Sequence, residues 1–189
     1  MTIGSALVRG VVGPLFVGHG TQKLFGWFGG YGLDGTGGYF ESLGLRPGKL
    51  HAQAAGIAET LGGVLVTLGA LTPLGTTLIS GTMITAARTA HANNGPWVTN
   101  GGYEYNLVII AAMTALAERG PGALSVDEAY FPDLKGSALA ALALGAAAAG
   151  SYVGTSSLLN QAGAAPMEGS IDVAGDPATI GDPVPTSGT

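Results

Sequence analysis

Glu59 lies in a run of about twenty largely apolar residues that includes AETLGGVLVTLGALTP (residues 58–73). A carboxylate in such surroundings must meet a cation, accept hydrogen bonds or take up a proton, because an unpaired buried charge is costly. Other polar groups recur at helical spacing. Gln22 and Lys23 follow His19 at i+3 and i+4, and Arg88 and His91 stand three apart, so each set shares one helix face. Glu104 and Asn106 sit in YEYN (103–106). These residue types suit hydrogen bonding and proton transfer on a bound molecule, with His and carboxylate as acid–base groups. Zero cysteines exclude disulfides, thiolate metal sites and intrinsic thiol chemistry. The three histidines are scattered and match no metal-ligand spacing, so no metal site is expected. Haem, with His19 and His91 as axial ligands, is a weaker alternative, since their depths differ and Lys23 and Arg88 crowd them. His51, at the start of an apolar run, reads as interfacial. GHGTQKLFGWFGG is glycine-rich but has no strand context for a phosphate loop.

Composition states what must hold these groups. Hydrophobic residues make up 47% and charged residues 10% of the 189, with a mean hydropathy of +0.40. Soluble domains carry roughly 25% charge, so the chain reads as a membrane protein. No basic stripe suits a nucleic acid, and none is expected as a partner. No basic region precedes the first apolar run and Arg9 lies within it, so a cleaved signal peptide is not expected.

Four apolar segments of spanning length or near it follow one another. The first runs from about residue 3 to 28, with Pro14 expected to kink it. After a loop in which YFESLGL forms a short interfacial helical turn, the second covers about 50–71. The TPLG turn places Pro73 in the first turn of a third segment, which reaches about residue 92. The fourth covers about 103–116 and stops at ERGPG. Residues 137–153 form a short, alanine-rich fifth candidate. Beyond them the chain is Gly-, Ala-, Pro- and Ser-rich and acidic, with Glu168, Asp172, Asp176 and Asp182 and no base after Lys135. It reads as a disordered tail. The 34 glycines, many inside the apolar runs, allow helices to approach closely in lipid. The expected fold is all-α: an antiparallel four-helix transmembrane bundle over residues 1–128, a connector with a candidate fifth helix over 129–153, and an extended tail over 154–189.

If the segments alternate direction, His19 and Glu59 each lie about nine residues in from the same side, roughly 13 Å deep at 1.5 Å per residue. His19, Gln22, Lys23, Glu59, Arg88, His91, Glu104 and Asn106 then converge from four helices on one half of the bundle. Glu59 is expected to be neutralised by Arg88 or by hydrogen bonds from His19. Two readings stand, a ligand pocket and a buried polar network that only sets helix register. Arg9, near the opposite surface, reads as a snorkelling anchor.

Four motifs carry a resemblance: GHGTQKLFGWFGGYGLDGT (18–36), AETLGGVLVTLGALTPLGT (58–76), GGYEYNLVI (101–109) and GPGALSVD (120–127). In these, and in their order over about residues 5–128, the chain resembles the DoxX family of small bacterial integral membrane proteins. The resemblance implies a four-helix membrane bundle with a redox role, and a multi-pass place in the bacterial cell membrane. Family members resemble subunits of quinol oxidase or thiosulfate:quinone oxidoreductase systems. The motif positions carried over as candidates are His19, Lys23, Glu59 and Glu104; no catalytic residue is assigned. The extension over 129–189 departs from the basic pattern and points to docking on a partner.

The favoured function is therefore an accessory or assembly subunit of a respiratory or redox membrane complex, without independent catalysis. The alternative is a quinone-reactive subunit in which Glu59, His19 or His91 meets the quinone oxygens. No intrinsic cofactor is expected, quinone is the candidate ligand, and the partners are the lipid bilayer and a larger membrane complex. Four basic residues lie on the pocket side, Lys23, Arg46, Lys49 and Arg88, against Arg9, Arg119 and Lys135 on the other, so charge gives no orientation. The resemblance implies a cytoplasmic N-terminus and an outward-facing pocket.

Overall fold

Glycine and proline set most of the helix boundaries. Helix α1 (Ile3–Phe25) carries Pro14 in its interior and stops at Gly26, whose φ of 72° is left-handed, before a 3-10 turn at Trp27–Gly29. Helix α2 (Gly32–Ser42) follows, then α3 (Gly48–Leu68), which begins directly after Pro47. Gly69, at φ 60°, closes α3, with its amide on the Val66 carbonyl and the Ala70 amide on that of Leu65. Helix α4 (Thr72–Ala86) takes Pro73 in its first turn and runs on as a π-helical turn (Ala87–His91) and a 3-10 turn (Ala92–Asn94). Helix α5 (Glu104–Arg119) stops at Gly120, and α6 (Val126–Tyr130) is capped by the Ser125 hydroxyl, which accepts from the Glu128 amide at 3.2 Å. Helix α7 (Ser137–Gly163) is the longest. The computed structural model describes residues 3–163, with side chains through 156, and no strand occurs among them.

Packing follows from the small residues. A Cβ on Gly13 would lie 2.9 Å from the Gly63 carbonyl oxygen, and one on Gly20 would lie 2.6 Å from that of Gly56. Those pairings run in opposite senses along the chain, so α1 and α3 are antiparallel with backbones in near contact. Gly62 and Gly75 bring α3 and α4 together in the same way. Asn106 of α5 donates to the Met83 carbonyl of α4 at 3.4 Å. Phe16, Val66, Ile79, Ile109, Met113 and Leu116 fill the space between these four helices.

Helix α7 lies against α4 in parallel register. Thr77 donates to the Ala143 carbonyl, Thr85 to the Ser151 hydroxyl and Arg88 to Thr155, at 3.3, 2.9 and 3.3 Å. Ser137 donates to Glu118 at the end of α5, so α5 and α7 run antiparallel. The long helices α1, α3, α4, α5 and α7 thus alternate in direction.

The architecture departs from the sequence expectation in four places. Helix α2 is a full 11 residues rather than one interfacial turn. Helix α7 continues past residue 153 to Gly163, through a Gly-, Thr- and Ser-containing stretch whose composition suggests a tail. By length and hydropathy a single described helix qualifies as a membrane span, over Ser137–Ser156 with a mean hydropathy of 1.4. Helices α4 and α5 have only 15 and 16 residues, and glycine and charge dilute α1 and α3. Finally, Arg9 does not snorkel. It is 7% exposed and donates to the carbonyls of Val66, Thr67, Pro121 and Leu124 at 3.0–3.2 Å. Nearby, the Asp127 carboxylate accepts from the Leu71 and Thr72 amides at 2.7 Å each, satisfying the first turn of α4. The tail expected over 154–189 lies outside the described residues from 164 onward.

Candidate functional site

The Gly20–Gly56 approach lets the four-carbon stem of Lys23 reach across to α3. Its ammonium lies 2.6 Å from Glu59 Oε2, with the Lys23 side chain 24% exposed and that of Glu59 only 6%. The partner of Glu59 is therefore Lys23, and not Arg88 or His19 as expected from depth alone. Arg88 turns the other way: it donates to Ser151 and Thr155 of α7, and its guanidinium stands 5.6 Å over the Tyr152 ring. The π-helical turn at 87–91 changes the pitch there, so residues spaced three apart no longer share a face.

A cavity of about 530 Å³ opens beside the Lys23–Glu59 pair. Of the eight residues expected to converge, it is lined by five: His19, Lys23, Glu59, His91 and Asn106. The His19 Nδ1 faces Gln22 Oε1 at 3.2 Å, and the ring edges onto Phe16. The His91 Nδ1 lies 2.7 Å from the Gly101 carbonyl, which fixes the ring of a residue on the π turn. Glu104 lies outside the cavity, where its carboxylate accepts from the Val98 amide at 3.0 Å and holds the loop before α5. Gln22 lines a second cavity of about 610 Å³ beside the turn at 29–31, which shares Lys23, Tyr39 and Phe40 with the first. Lys23 therefore stands between the two spaces.

Several lining groups escape a reading of the sequence. Tyr39 and Phe40 come from α2, whose glycine-rich GLDGTGG start hides a helix. An ion pair between Lys49 and Asp34 ties α2 to the start of α3, and hydrogen bonding to Asp34, together with its charge, holds the Lys49 ammonium above the ordinary lysine pKa. His51 Nε2 is buried in the cavity wall with no hydrogen-bond partner among the described residues. The sequence signal for α7 was there to be found: Thr77, Gly81 and Thr85 repeat every four residues on α4, and Ala143, Ala147, Ser151 and Thr155 do so on α7.

Chemically the lining is mostly apolar, with a charged pair, three histidines and an amide among its polar groups. Such a lining holds a molecule with an apolar body and a few oxygen atoms, orienting it by hydrogen bonds. Among the described residues no group of three or more His, Asp and Glu is placed to hold a metal ion.

Comparison with known proteins places the chain. The sequence model of the family described as DoxX matches residues 4–92. A Bacillus subtilis (strain 168) protein described as "Putative oxidoreductase CatD" is 32% identical over 133 residues, covering 70% of this chain and 91% of that protein. No solved structure matches.

Proposed function

The chain belongs to the DoxX family, and from that premise we propose that it is a multi-pass membrane subunit of a redox complex whose cavity binds a quinone-type molecule. The observation that carries this reading is the cavity of about 530 Å³ beside the 2.6 Å Lys23–Glu59 pair. Its size lies within the range of about 300–1,000 Å³ usual for small-molecule sites.

Membrane placement is supported by an inverted surface. Ile3, Leu7, Val11 and Leu15 repeat every four residues on the exposed face of α1, and Ile57, Leu61 and Leu68 are exposed on α3. Arg9, Glu59, Thr76, Ser80, Asn106 and Asp127 are buried instead. Lipid would satisfy the outer apolar face, while the inner polar groups satisfy one another.

At the site Lys23 is placed to donate a hydrogen bond to a carbonyl oxygen, and Glu59 keeps the ammonium in position. His51 Nε2 and His19 supply further hydrogen-bonding groups in the lining of the same cavity. A quinol that gives up two protons and two electrons needs an electron acceptor, which this reading assigns to a partner subunit; the chain has no cysteine to hold an iron–sulfur cluster of its own. The chain therefore serves a complex rather than acting alone, with residues 164–189 a candidate docking element. Purification of the native protein in mild detergent tests this, with organic extracts and co-migrating proteins identified by mass spectrometry. The expected result is a co-purifying quinone and stoichiometric redox subunits; a lone protein with an empty extract would overturn it.

A further inference from the structure

The two faces of α7 do different work. Ala143, Ala147, Ser151 and Thr155 are buried, and the Ala143 carbonyl and the two hydroxyls bond to α4. The adjacent row of Ala146, Gly150 and Gly154 also lines the cavity, yet a Cβ on Gly150 or Gly154 would meet no atom within 4 Å. Ala54, Ala55 and Ala58 of α3 line the same cavity. Helices α3 and α7 both pack on α4 without substantial contact with each other, so a slot walled by small residues lies between them. In the same cavity His51 Nε2 remains buried and unpartnered, an unmet hydrogen-bonding group that a bound molecule would satisfy.

We infer that α7, which lies outside the matched family region, is the size gauge of the cavity, and that Gly150 and Gly154 are its specificity-determining positions. Glycine here serves neither a turn nor a tight helix crossing; it keeps the slot open for a flat ring. A larger side chain at either position would occupy that volume without disturbing the α4–α7 register, which the other row holds. The inference rests on the quinone reading for the identity of the occupant but not for the existence of the slot.

Gly145 provides a matched control, since it is exposed on the same helix, has open space around its Cβ and does not line the cavity. G145F, G150F and G154F of the full chain would be compared in lipid nanodiscs for binding of a radiolabelled decyl-naphthoquinone and for melting temperature. The expected result is that G145F binds as the wild type does, while G150F and G154F bind about tenfold or more weakly and melt above G145F. Undiminished binding in G150F and G154F would overturn the gauge and leave the quinone reading intact. If the wild type fails to bind the probe, the quinone reading falls, and melting decides the gauge alone. Filling of an open slot then raises G150F and G154F above G145F, whereas melting at or below G145F contradicts it.

Discussion

Lys23 and Glu59 are unequally buried, and that asymmetry makes them testable. With its side chain 24% exposed, Lys23 retains a route to water when its partner is lost, whereas Glu59 at 6% does not. Lys23→Met should therefore destabilise the protein by about 3 kcal/mol, the cost of an uncompensated buried charge. Glu59→Gln should cost distinctly less, and the double variant Lys23→Met/Glu59→Leu should recover much of the loss. Thermal unfolding in detergent reads this as a double-mutant cycle; additive losses would contradict a coupled pair. Arg9 is a second case. Its planar fork reaches four carbonyls on two segments through three nitrogens, a geometry that an ammonium with three donors on a flexible stem does not reproduce. Arg9→Lys should melt nearly as low as Arg9→Met, and a lysine variant as stable as the wild type would show that charge alone suffices. Sequence spacing names Glu59 as a group in need of a partner, but it does not choose the partner. Depth counted along helix axes puts His19 level with Glu59 and ignores the reach of the Lys23 stem and the tilt that the π turn gives Arg88.

Among the elements, the α1–α3 crossing governs the site, because it brings Lys23 within reach of Glu59. A Cβ on Gly20 meets the Gly56 carbonyl oxygen at 2.6 Å, while one on Gly18 of the same helix meets nothing within 4 Å. Gly20→Ala should thus lower the melting temperature by several degrees and disturb the ion pair, while Gly18→Ala should be neutral or slightly stabilising through helix propensity. Equal effects at the two positions would contradict the close crossing. The end of α5 at Gly120 is legible in ERGPG, whereas α3 stops at Gly69, two residues before the limit expected from the TPLG turn. Helix limits are illegible at α2, where four glycines in GLDGTGGYFES argue against a helix that packing onto α3 nevertheless stabilises. At the far end of α7, composition alone suggests a tail where helix continues to Gly163. The four-residue repeats on α4 and α7 are visible in the sequence, but their parallel pairing is a tertiary fact that no local pattern encodes.

Over the whole molecule, five alternating long helices place the two ends of the described chain on opposite sides. In the membrane reading this becomes a topology prediction. Reporter fusions before α1 and after Gly163 should report opposite compartments, and reports from the same side would mean that one helix does not cross. In that reading, polar groups inside and apolar groups outside give the bundle a reason to cross, even though among the described residues only α7 qualifies by its own length and hydropathy. On the quinone reading, the space beside Lys23 and Glu59 is a binding site for a quinone-type molecule. The most direct test of that reading is equilibrium binding of radiolabelled decyl-naphthoquinone to the full chain in nanodiscs, with empty nanodiscs subtracted. A charge-assisted hydrogen bond contributes about 1.5–3 kcal/mol. Saturable binding at one molecule per chain is therefore expected, weakened about tenfold or more in Lys23→Met. Uptake no greater than that of empty nanodiscs, or saturable binding indifferent to Lys23, would contradict the reading.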